Sequence, residues 1–122
     1  MIQTLLLLAV MAFQGLTPEA LKHAEAGLEA QKQGKQAEAI AEFRKVAELM
    51  PDLAAAHMNL GQSYMQAGEF IQAIEPLKRA LELNPELIGA HQGLGYALLA
   101  AGFAKEAIPH LEKIQAVDAL GI

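Results

Sequence analysis

Cysteine and tryptophan are absent from this chain of 122 residues, and aromatics amount to only 5%. Without cysteine there is no disulfide framework and no thiolate zinc site, and redox compartment cannot be read from cysteine usage. With so few aromatics, close packing falls to small and aliphatic side chains. Hydroxyl nucleophiles are nearly missing as well: the only serine is Ser63, and the threonines are Thr4 and Thr17. No nucleophile constellation appears, and no glycine-rich phosphate loop precedes a helix. Positive charge is scarce, with nine Lys+Arg against fourteen Asp+Glu and a net charge of −5. That argues against nucleic acid, whose binding needs clustered positive charge to replace counterions. It argues likewise against anionic membrane surfaces. These absences support no catalytic residue, no cofactor, no metal and no small-molecule substrate.

What is present is 53% hydrophobic, much of it alanine and leucine, which form helices well. The length suits one domain with a modest core. Leu5 to Phe13 is an unbroken apolar run. It is too short for a bilayer span, which needs roughly 20 residues, but fits the roughly 7–15 apolar residues of a secretory signal. Val10-Met11-Ala12 places small residues where a signal peptidase reads. Residues 1–12 are then a signal peptide, and the mature chain is exported or periplasmic. Against this, Met1 to Thr4 carry no Lys or Arg. The other reading is an apolar capping helix on a cytoplasmic protein. Residues 13–19 form a lead-in under either reading.

The rest of the chain is periodic. His23, His57 and His91 recur at a spacing of about 34 residues, as do Gly27, Gly61 and Gly95, and Gly34, Gly68 and Gly102. Ala39, Ala73 and Ala107 follow, then Ile40, Ile74 and Ile108. A period of this length marks a helix-turn-helix solenoid. Thr17 is a suitable N-cap with Pro18 behind it, so a first helix is expected to run to about Gln33. Gly34 breaks it, and a second helix runs from about Gln36 to Met50. Pro51 stops that helix and Asp52 is placed to cap the next. The third and fourth helices are expected over about Leu53–Ala67 and Glu69–Leu83. The fifth and sixth follow over about Pro85–Ala101 and Phe103–Val117. Pro76 and Pro109 fall inside the fourth and sixth, where periodicity outweighs one proline and bent helices are expected.

These columns carry a resemblance. Leu60-Gly61, Tyr64, Ala73, Leu77 and Pro85 resemble the template of the tetratricopeptide repeat. Gly27, Ala39, Phe43 and Pro51 match it in the first repeat, and Leu94-Gly95, Ala107 and Leu111 in the third. The third has Ala119 where the proline would fall. The resemblance implies an all-α, right-handed solenoid of three helix-turn-helix repeats over residues 20–122, divided 20–53, 54–87 and 88–121. It also implies a concave face lined by the first helix of each repeat. Mapped onto this chain, that stripe is Leu21, Ala24 and Leu28; Met58, Gln62 and Met65; Gln92, Tyr96 and Leu99. Family members that bind chaperone tails carry Lys and Asn there to clamp a carboxylate. Ala24, Met58 and Gln92, with Leu28, Gln62 and Tyr96, depart from that pattern and argue against such a partner.

The histidine column has two readings. Packed helices lie about 8–10 Å apart, while two zinc ligands must each come within about 2.0–2.1 Å of one ion. A packing role therefore fits His23, His57 and His91 better than a metal site. His110 has no evident partner and is expected at the surface or an edge. The reading of the whole is a non-enzymatic module that binds an apolar or amphipathic peptide along its concave face. The alternative is a structural, self-assembling repeat segment of a longer protein. Leu120-Gly121 echoes the repeat pair, and a homodimer through the C-terminal edge would cover what the last repeat exposes.

Overall fold

The computed structural model describes residues 15–119 and contains six helices and no strand among them. They are α1 (Pro18–Lys32), α2 (Gln36–Leu49), α3 (Ala54–Gln66), α4 (Phe70–Leu83), α5 (Ile88–Ala100) and α6 (Ala104–Ala119). Each helix packs against the one before and the one after it, and α3 also touches α5. Short connections force consecutive helices to run antiparallel. The outcome is an all-α repeat solenoid of three hairpins, α1–α2, α3–α4 and α5–α6. No helix among the described residues is long and apolar enough to cross a membrane. The apolar run at Leu5–Phe13, the cleavage motif within it and Leu120-Gly121 lie outside the described residues.

One chain reversal is repeated three times. Gly34, Gly68 and Gly102 have φ of +71°, +75° and +90°, the left-handed region where a side chain is strained. The residue after each glycine donates its backbone N–H to a carbonyl in the last turn of the preceding helix. These bonds are Lys35 to Ala30 at 2.9 Å, Glu69 to Tyr64 at 2.9 Å, and Phe103 to Leu98 at 2.7 Å. This closes orphan carbonyls of α1, α3 and α5.

A second set of glycines lets the helices of a hairpin touch. A Cβ built on Gly61 would sit 2.5 Å from Cγ of Leu77, and one on Gly27 would sit 2.9 Å from the Phe43 ring. On Gly95 it would meet Leu111 at 3.0 Å. The facing alanines, Ala39, Ala73 and Ala107, are buried. The core is two clusters, one around Phe43, Val46 and Leu60 and the other around Leu77, Leu94 and Leu98. Tyr64 packs against both.

The starts of α3 and α5 differ from the sequence expectation. Asp52 does not cap α3. It is 91% exposed and lies 3.7 Å from Arg79, while the cap position is Leu53 and has no side-chain bond. Pro85 does not open α5 either. Asn84 Oδ1 accepts the backbone N–H of Glu86 at 3.1 Å, which holds Asn84–Glu86 in a turn, and α5 starts only at Ile88. Thr17 does cap α1, accepting from the backbone N–H of Ala20 at 3.2 Å. Helices α4 and α6 continue through Pro76 and Pro109.

Candidate functional site

The first helices of the hairpins form one layer. Across it, Nε2 of Gln31 donates to Ser63 Oγ at 3.2 Å and to Gln66 Oε1 at 3.4 Å, joining α1 to α3. Ser63 is buried, and its hydroxyl is satisfied by donating to the Asn59 carbonyl at 2.9 Å. Between α3 and α5 the layer closes over Gly89, whose small size admits Met58 Sδ and Gln62 Nε2 within 3.3 and 3.6 Å of its Cβ position.

The nine residues of the expected stripe do not share one environment. Ala24 is a correction: it is fully buried in the first cluster, beside Ala56 and Leu60 of α3, and offers nothing to a ligand. Leu21 and Leu28 are half-buried against that cluster. Met58 and Met65 are half-buried against the second cluster, and Gln62 is half-buried at Gly89. Gln92, Tyr96 and Leu99 are exposed. The column Ala24, Met58, Gln92 thus grows more open along the chain. Each hairpin covers this position on its predecessor, so the column is a seam between hairpins. Sequence reasoning also missed Gln31, which stands one repeat period before Met65 and two before Leu99. The period itself was the signal for it.

Tyr96 is the most open aromatic group of the layer, at 59% exposure, yet its ring is held. Phe70, at the start of α4, meets it edge to face with centroids 5.6 Å apart. The contact turns Tyr96 back toward the preceding hairpin. Leu99, one turn further along α5, is 46% exposed on the same side. A preorganised aromatic ring beside an open leucine is a surface suited to an apolar side chain.

Two members of the histidine column share one role, and the partners of the column vary. His57 Nε2 donates to the Pro51 carbonyl at 2.8 Å, and His91 Nε2 donates to the Pro85 carbonyl at 2.8 Å. Each ring thereby ties its helix to the turn before it. At His23 and His91, Nδ1 faces the next helix. His23 Nδ1 donates to Glu42 Oε2 at 2.6 Å, and His91 Nδ1 lies 2.9 Å from Nδ1 of His110. Glu42, Pro76 and His110 are themselves spaced by one repeat period. His110 is therefore not an unpartnered edge residue: it meets His91 across the α5–α6 contact. Burial first, then His91 and Lys78, hold the His110 imidazole below its ordinary value. No group of three or more His, Cys, Asp or Glu side chains among the described residues converges to hold a metal ion.

Comparison with known proteins agrees with this geometry. A tetratricopeptide repeat model matches residues 54–87, and a second model of that repeat matches residues 27–68. Together they run from residue 27 to residue 87, half of the chain. This chain belongs to the tetratricopeptide repeat family. Among solved structures it is similar to MamA MSR-1, at 28% identity and a TM-score of 0.73. That match covers 84% of this chain and 59% of MamA, so this chain spans less than two thirds of that protein. It is similar to the first repeat domain of Spaghetti (RPAP3) bound to the HSP90 peptide SRMEEVD, at 27% identity and a TM-score of 0.77. That match covers 83% of this chain and 80% of the other. The TPR2B domain of yeast Sti1, in complex with an Hsp70 peptide, shares the fold at 19% identity and a TM-score of 0.77, over 84% of this chain and 82% of that one. No curated protein sequence matches.

Proposed function

We propose that this tetratricopeptide chain is a non-enzymatic interaction module that takes an apolar or amphipathic peptide against the layer of α1, α3 and α5. The observation that carries the reading is the fixed, open ring of Tyr96 beside Leu99. The peptide-bound Spaghetti domain supports it, since a comparable solenoid holds a peptide. The partner chemistry differs from an acidic tail. Leu28, Gln62 and Tyr96, together with Met65 and Leu99, supply apolar and amide groups and no cation. Met58 and Met65 add adaptable contacts at the seam.

The test is selection of short random peptides on the intact chain, followed by calorimetric titration of a selected peptide. Tyr96→Glu is expected to weaken binding at least about tenfold, the size of one lost anchor of about 1.4 kcal/mol. Glu25→Gln, on the exposed side of α1, is expected to leave it unchanged. Failure to select any peptide, or binding indifferent to Tyr96→Glu, overturns the reading.

One observation favours a second reading, self-assembly through the outer side of α6. Ile40 is 7% exposed and its equivalent Ile108 is 50% exposed, because no described element covers α6 as α3 covers α2. Light scattering over a concentration series separates the two. Growth in mass without peptide, abolished by Ile108→Glu, supports assembly.

A further inference from the structure

Helices α5 and α6 are joined by a contact whose capacity for protons is limited. His91 Nε2 is committed as a donor, because its partner is the Pro85 carbonyl, which only accepts. A neutral His91 therefore presents a bare lone pair at Nδ1. His110 Nδ1, 2.9 Å away, must carry the hydrogen that fills the gap. The ring centroids are 5.2 Å apart, so the two nitrogens point at one another nearly head to head. That is the geometry of one shared hydrogen, with no room for a second.

We infer that the His91–His110 pair is an acid-released latch that docks α6 on α5 while the pair holds at most one added proton. The first added proton goes to His110 Nε2, which faces away from the contact, and the hydrogen bond survives. A second must go to His91 Nδ1. Two N–H groups then confront each other across the same short contact with two positive charges behind them, and the rings separate.

The neighbouring charges do not relieve this. Lys78 of α4 adds positive potential at His110, and burial adds to its effect. Glu86, in the turn before α5, is engaged with Lys113 of α6 at 3.4 Å. Glu106 and Glu112 of α6 are exposed. Released, α6 would uncover Leu94 and Leu98 of α5 together with its own Ala107. The same position in the first hairpin sets His23 Nδ1 2.6 Å from the Glu42 carboxylate, so two N–H groups do not confront each other there. The latch is thus confined to one end of a solenoid whose hairpins share one geometry.

The sign follows from proton counting. The undocked pair takes two protons below its free value of about 6.5, and the docked pair takes one, so stability of docking falls as pH falls. One extra proton gives about a tenfold change in the opening constant per pH unit, or at least roughly 30-fold between pH 7.5 and 5.0. Ordinary carboxylates stay ionised over most of that range.

Hydrogen–deuterium exchange of the intact chain, corrected for intrinsic rates, is the test. Loss of protection in α6 is expected on going from pH 7.5 to 5.0, with α1 and α2 unaffected. His110→Gln should flatten the response, because the amide donates to neutral His91 and, turned over, accepts from protonated His91. His110→Glu should reverse it by rebuilding the His23–Glu42 arrangement. Circular dichroism at pH 7.5 checks that both variants fold. Protection of α6 that does not change with pH, or equal losses in the parent and His110→Gln, overturns the latch.

Discussion

Whether a glycine in this chain tolerates a methyl group depends on the one side chain it faces. Gly61 faces Leu77, which is fully buried and has nowhere to go. Gly95 faces Leu111, which is only half-buried and stands 3.0 Å off. Gly61→Ala is therefore expected to cost about 1–3 kcal/mol, the range for overpacking a filled core. Gly95→Ala should cost clearly less, as read from urea unfolding of the two variants. Equal losses would mean that the room left to the facing side chain does not set the cost. Both glycines stand in the same sequence column, so the sequence marks a close approach at each without ranking them. The ranking comes from burial, which rises toward the middle hairpin because, among the described residues, it alone has a neighbour on both sides.

At the scale of the helix, local chemistry was legible where it depends on a few adjacent residues. Thr17 and the glycines of positive φ did what their residue types dictate. It misled at Asp52, which stays exposed beside Arg79, and at Pro85, where two local devices compete. Asn84 takes the backbone N–H of Glu86 for a turn, so the helix that Pro85 would open is delayed to Ile88. Pro76 is the reverse case, a residue that opposes its helix and is overruled by packing on both sides. It still removes a backbone donor, at roughly 3 kcal/mol in a helix interior. Pro76→Ala restores the donor while freeing the unfolded chain, which offsets up to about 1 kcal/mol. The expected net is a stabilisation of about 2 kcal/mol, the difference between those two effects, measured as a rise in the urea midpoint. An unchanged midpoint would show that α4 already absorbs the proline at no cost.

For the whole molecule, Leu77 joins hairpins as well as helices. Its methyl groups lie against Gly61 of α3 in its own hairpin and 3.1 Å from the Cβ position of Gly93 in the next. Leu77→Ala is expected to cost about 2–5 kcal/mol, as for a buried leucine, and also to weaken coupling between hairpins. A repeat array with weaker coupling melts less cooperatively. The urea transition of this variant should therefore broaden as well as shift. A shift with an unchanged slope would confine Leu77 to its own hairpin. The sequence by itself determined the helices, the left-handed turns and the family, because the repeat period sets every local signal in phase. Only the tertiary structure decided which side of the first helices stays open. Ala24, Met58 and Gln92 are one column in sequence but a closing seam in space, since the cover on each residue comes from the next hairpin. Only the tertiary structure, too, set Glu42 and His110 against the histidines. Those partners sit on the facing helix, where no local pattern reaches.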